Sequence, residues 1–130
     1  MPKTQPRQLK VKPMQAETIR IYYNPRCSKC RDVAAIVAGK GYNTELIKYL
    51  EAPPDKEELR EILKKLRMKP LELIRTGEAV FKEKFAGNTL SDEEWLDAIV
   101  AHPVLIERPI VVRGDKAIVA RPAEKVLELL

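Results

Sequence analysis

Tyr22-Tyr-Asn-Pro-Arg-Cys-Ser-Lys-Cys-Arg31 is the stretch on which the reading of this chain turns. The residues leading into it, Thr18 to Tyr23, alternate in polarity and are rich in β-formers, which predicts a strand. Asn24-Pro25 imposes a turn. From about Ser28 to Ala38, Cys30, Val33, Ala34 and Val37 recur at helical spacing until Gly39-Lys-Gly41 ends the run. Both cysteines of the chain therefore fall at a strand-to-helix junction, with Cys27 where the first helical turn opens.

A thiol is a nucleophile only as the thiolate, and a cysteine near pKa 8.5 is a few per cent ionised at neutral pH. The orphan N–H groups and positive dipole end of a helix favour the anion, and Arg26, Lys29 and Arg31 add positive charge. A drop of about two pKa units corresponds to roughly 2.7 kcal/mol in favour of the thiolate. Two other uses of a Cys-x-x-Cys pair compete with this one. Closed structural zinc sites take four ligands, and the chain offers only two cysteines and one distant histidine, His102. Cys30 alone also fits the pattern of a small core residue on the buried face of its helix.

Downstream, Thr44 to Leu50 alternates again and predicts a second strand, parallel to the first because a helix separates them. Pro53-Pro54-Asp55 then opens a helix, with Asp55 as N-cap and Glu58 as its capping-box partner, carrying an apolar stripe of Leu59, Ile62, Leu63 and Leu66 up to Pro70. Short helical segments are expected at Leu71 to Arg75 and Val80 to Phe85. A longer one runs from Asp92 to Ala101, N-capped by Ser91 and packing through Trp95, Leu96, Ile99 and Val100. His102-Pro103 closes it, and no catalytic role falls to His102. Ile110 to Val112 and Ala117 to Ala120 predict a hairpin around Gly114-Asp115. A final helix begins at Pro122 and directs Val126, Leu127 and Leu130 to the core. The order βαβ, several helices, ββα gives an α/β fold built on a four-stranded mixed sheet with helices on both faces.

The chain has 130 residues, 45% of them hydrophobic, enough for one core. No apolar run is long enough to span a membrane, and no secretory signal is evident, so a soluble, cytoplasmic protein is expected. The net charge of +5 owes most to Lys3, Arg7, Lys10 and Lys12, which precede the first acid, Glu17. Without them the chain is nearly neutral, which argues against a nucleic-acid partner. Residues 1–16, with Pro2, Pro6 and Pro13, read as a basic, disordered tail before a domain spanning 17–130.

Three arginines lie beside apolar runs or prolines: Arg75 after Leu-Glu-Leu-Ile, Arg108 before Pro109-Ile-Val-Val, and Arg121 before Pro122. Planar guanidinium groups suit bidentate recognition of a tetrahedral oxyanion, although any one of them alone reads more readily as a surface or capping arginine.

Taken together, Asn24-Pro25-Arg26-Cys27, Leu73-Ile-Arg75, Ile106-Glu-Arg108-Pro109-Ile-Val-Val and Ala120-Arg121-Pro122 resemble the ArsC family, the glutaredoxin-coupled arsenate reductases of the thioredoxin-fold superfamily. The likeness runs from about Thr18 to Leu130. It implies a thioredoxin-like fold with an inserted helical segment, and Pro109 as a cis-proline against the active-site thiol. Carried over, Cys27 is the catalytic nucleophile that forms a covalent thioester with arsenate. Arg75, Arg108 and Arg121 hold the substrate oxyanion, Arg108 and Arg121 as binding residues and Arg75 as a catalytic one that also stabilises the trivalent intermediate. No bound cofactor and no metal are implied. Glutathione serves as co-substrate, with glutaredoxin, or else thioredoxin, as the protein partner. Two departures stand out. Well-studied members of the family carry histidine where this chain has Tyr23, and many members lack a second cysteine at Cys30, which becomes a candidate resolving cysteine. The Spx-like regulators, relatives that share the fold and the Cys-x-x-Cys switch but bind RNA polymerase, form the alternative reading, and a general thiol-disulfide oxidoreductase forms a third. Arg121-Pro122 favours an anion site over the regulator.

Overall fold

A computed structural model describes residues 18–130, so the tail predicted over residues 1–16 lies outside the described residues. Strand β1 (Thr18–Tyr23) forms where its alternation predicts, with Ile19 and Ile21 fully buried on one face and Tyr22 buried on the other. After the Asn24–Cys27 turn comes helix α1 (Ser28–Gly39), and strand β2 (Asn43–Lys48) returns parallel to β1, with Tyr23 opposite Lys48. β2 stops two residues short of the predicted Leu50, because Tyr49 and Leu50 already turn toward the next helix.

Helix α2 (Lys56–Leu66) has Asp55 as its N-cap, and the Asp55 carboxylate accepts the Glu58 N–H at 2.8 Å. The reciprocal half of the predicted capping box gives way to a longer-range contact, in which the Glu58 carboxylate accepts the hydroxyl of Tyr22. Arg20 donates to the same hydroxyl at 3.0 Å, so a charged hydrogen-bond chain ties β1 to α2. Leu59, Ile62 and Leu63 are buried as the stripe predicts. Pro70 does not end the helix. Arg67, in the left-handed region at φ 59°, ends it four residues after Leu63, whose carbonyl accepts the Met68 N–H.

The inserted segment is a 3₁₀ turn at Pro70–Leu73, helix α3 (Ala79–Lys84), helix α4 (Asp92–Ala101) and a second 3₁₀ turn at Pro103–Leu105. α4 has the full capping box predicted for Ser91 and Glu94. Trp95, Leu96 and Ile99 are buried, but Val100 is 40% exposed, because the inner face centres on Trp95, Ala98 and Ile99 and leaves Val100 at its margin. Lys56 reaches Glu93 and Asp97, and Arg60 reaches Glu93, clamping α2 to α4 across the surface. Exposed pairs of this kind contribute a few tenths of a kcal/mol each, roughly.

Strands β3 (Ile110–Arg113) and β4 (Lys116–Val119) form the predicted hairpin, with Gly114 at φ 60° in the two-residue loop, a conformation that favours glycine. β3 pairs antiparallel to β1, giving the sheet order β2-β1-β3-β4 with one parallel pair. The last segment is a 3₁₀ helix, Ala123–Glu128, rather than an α-helix. Its apolar residues Ala123, Val126 and Leu129 repeat every three positions, the 3₁₀ period. Leu127 falls off that row and is 48% exposed instead of joining the core. One apolar cluster packs Ile19, Ile21, Val33, Val37, Val111 and Val126 between the sheet and α1. The larger one lies on the opposite face, where Tyr22, Tyr49 and Ile110 meet α2, α4 and the inserted turns. Helices thus cover both faces, as the element order requires.

Candidate active site

The turn that presents Cys27 is organised by Asn24. Its backbone carbonyl accepts the Cys27 N–H at 2.9 Å, and its side-chain oxygen accepts the Arg26 N–H at 3.0 Å. Cys27 is the N-cap of α1 and is partly exposed, whereas Cys30, one turn along, is fully buried. The Cys27 sulfur makes no short capping bond, yet it lies over the opening of the helix near the Cys30 backbone and thiol.

The Cys27 thiol is lowered from near 9 to about 7. Partial burial opposes this and is the largest single influence. It is outweighed by the Cys30 backbone N–H, the Cys30 thiol and the Arg108 guanidinium acting together. The sequence expectation of a helix-terminus effect holds. The cation that acts, however, comes from a distant loop rather than from Arg26, Lys29 or Arg31, and Arg31 is engaged with the Pro25 carbonyl at 2.9 Å. Cys30 moves the other way, pushed up to about 11 by burial and by the neighbouring Cys27, so it stays a neutral thiol at pH 7.

Arg108 and Arg121 both come to Cys27. Arg121 places Nη2 3.8 Å from the Cys27 sulfur and donates from Nε to the Arg108 carbonyl at 2.6 Å. One guanidinium thus touches the thiol and anchors the loop carrying the second. Pro109 follows a cis peptide bond, as the resemblance implies, and a second cis bond joins Arg121 to Pro122.

Arg75 is placed differently. It follows the isolated bridge between Ile74 and Ile106, and its backbone N–H donates to the Leu105 carbonyl at 2.7 Å. Its guanidinium faces Glu78 at 3.3 Å and Glu107 at 3.6 Å. The bridge brings Arg75 next to the Glu107-Arg108 loop, while its ionic partners are these two carboxylates.

One residue at the site was read in sequence only as part of a strand. Tyr49 is fully buried beyond the end of β2, and its hydroxyl has no hydrogen-bond partner. Burial raises its pKa while the nearby Arg108 charge opposes the rise. The signal that could have found it is the parallel pairing, which sets the end of β2 beside the end of β1. Among the described residues, no group of three or more His, Cys, Asp or Glu side chains gathers to hold a metal, and no helix is long and apolar enough to cross a membrane.

A thiol at about 7 is half ionised at neutral pH. Alkylation of Cys27 by iodoacetamide should therefore rise through a midpoint near pH 7 and level off above it, where an unperturbed cysteine would still be climbing. Rates measured from pH 5 to 10, with the two thiols resolved by mass spectrometry, check this. A midpoint above 8.5 would contradict the arrangement.

The sequence matches the ArsC family model over residues 22–129, and the chain belongs to the ArsC family. YfgD of Escherichia coli strain K12 is 44% identical over 114 residues, covering 86% of this chain and 96% of that protein. An arsenate reductase of Neisseria meningitidis serogroup A is 40% identical over 114 residues, with coverage of 86% and 97%. Among solved structures, the arsenate reductase from Vibrio cholerae superposes with a TM-score of 0.84 at 40% identity, covering 88% of this chain and 98% of that one. The family read from four dispersed motifs is the family matched, and the fold is thioredoxin-like.

Proposed function

We propose that this protein is an arsenate reductase in which the Cys27 thiolate attacks the arsenic of arsenate. The observation that carries the reading is the gathering of a lowered-pKa thiol with Arg108 and Arg121 at one helix terminus. Relatives named arsenate reductase, aligned over nearly their whole length, support the same substrate class.

The Arg108 and Arg121 guanidinium groups take the oxyanion and offset the repulsion between a thiolate and a dianion. A sulfur–arsenic bond forms and an oxygen leaves as water after protonation. Arg75 supports the intermediate from the adjoining loop once an anion competes with Glu78 and Glu107 for its guanidinium. Arsenic gains two electrons on passing from the +5 to the +3 state, and sulfur supplies both as one disulfide forms. In the glutathione route, glutathione attacks the Cys27 sulfur, and the sulfur–arsenic bond breaks with its electron pair passing to arsenic, so that arsenite departs. Glutaredoxin then reduces the mixed disulfide left on Cys27. In the internal route, Cys30 closes a disulfide with Cys27 and thioredoxin or glutaredoxin opens it. Full burial of Cys30 and its persistence as a neutral thiol favour the glutathione route.

Arsenite formation by the purified protein, with glutathione plus glutaredoxin and separately with thioredoxin, tests the reading. Turnover with glutathione and glutaredoxin that survives Cys30→Ser supports the first route, and turnover lost in Cys30→Ser supports the second. No arsenite with either donor would overturn the proposal, and polymerase binding in its place would identify a regulator.

A further inference from the structure

The register of the sheet brings Tyr49 and Arg108 to the same place. In the parallel pair Tyr23 lies opposite Lys48, so Tyr49 comes next at the level of Asn24. In the antiparallel pair Ile110 lies opposite Tyr22, so Arg108, two residues earlier, reaches that level from the other side of β1. Tyr49 packs on the core face that holds Tyr22, with Ile47 and Ile110 beside it, and the Arg108 guanidinium faces its hydroxyl. Tyr49 and Arg108 therefore flank the end of β1 where the chain turns into Cys27.

Burial adds a second observation. Tyr49 is fully buried, and neither its hydroxyl nor the buried Nε of Arg108 makes a short hydrogen bond. An unpaired buried hydroxyl lowers stability, and phenylalanine would fill the same space without that cost. The hydroxyl and the guanidinium also act on each other electrostatically, each in the direction expected of a close donor and acceptor.

We infer that Tyr49 is a positioning residue for Arg108, its hydroxyl oxygen steering the guanidinium toward the Cys27 sulfur. The Arg108 carbonyl is held by Arg121 and the neighbouring Glu107 carboxylate faces Arg75, while the Cys27 sulfur and the Tyr49 hydroxyl face the Arg108 guanidinium. The inference rests on Cys27 being the nucleophile, but its test uses no arsenate, so it can fail or stand independently of the substrate assigned above.

The test is the pH dependence of Cys27 alkylation by iodoacetamide in Tyr49→Phe. The midpoint should move up by about half a pH unit, so that alkylation at pH 6 slows roughly threefold. In an Arg108→Gln background the same Tyr49→Phe change should move the midpoint by less than about 0.2 unit, because the residue it acts through is gone. Thermal unfolding of Tyr49→Phe separates this from a packing role. A raised Tm with an unmoved midpoint would mark the hydroxyl as only an unpaired core group and overturn the assignment. So would an equal midpoint shift with and without Arg108.

Discussion

Cys27→Ser should eliminate arsenite formation, with a loss of at least about 10⁴-fold, because a serine hydroxyl is not ionised near neutral pH and the Arg108 and Arg121 guanidinium groups that face it are donors rather than bases. The substitution should leave the fold intact, since Cys27 is partly exposed and its sulfur makes no short capping bond. Circular dichroism and Tm close to those of the parent, together with absent turnover, are the expected pair of results. Residual turnover above about 1% would move the chemistry to another group, and Cys30, buried and held protonated, is poorly placed to take it.

The largest loss of stability is expected at Trp95. It is 4% exposed, stacks on Phe81 with ring centroids 5.9 Å apart, and meets Phe85 at 6.0 Å. α3 has no buried residue of its own, and Phe81 within it and Phe85 just after it rest on Trp95, with Val80 packed against the same core. Trp95→Ala should cost about 3–5 kcal/mol, a large share of the roughly 5–15 kcal/mol typical of a domain. That corresponds to a fall in Tm on the order of 10 °C or more. Val100→Ala on the same helix, at a position 40% exposed, should change stability by less than about 1 kcal/mol. Thermal melts of the two variants check the contrast, and equal shifts would refute it.

Elements with a strong local signal were legible from sequence. β1 combines strict alternation with β-formers, and α4 has a capping box before its apolar face, and both form at their predicted limits. Where the local signal was ambiguous, distant partners decided. Glu58 abandons its capping partner for Tyr22 across the interior, and Leu127 is left outside because the terminal segment winds with a period of three. At the site, the Cys27 position and the helix-terminus effect followed from one short stretch. The source of the activating charge did not, since local sequence favours Arg26, Lys29 and Arg31 while the fold brings Arg108 and Arg121. Arg75 illustrates the same limit, as no spacing in the sequence shows that two carboxylates already flank it. Tyr49 has no local signal of its own, because a tyrosine ending an alternating run fits a strand with or without a role at the site.

The contact between Arg121 and Cys27 joins residues 94 positions apart, and Arg108 approaches from the same C-terminal third. The reactive sulfur is thus a property of the completed chain. A nascent, truncated or partly opened molecule would present the same Cys-x-x-Cys segment with the sluggish reactivity of a free peptide. How fast the thiol is labelled at neutral pH thereby reports whether the two ends of the polypeptide have found each other.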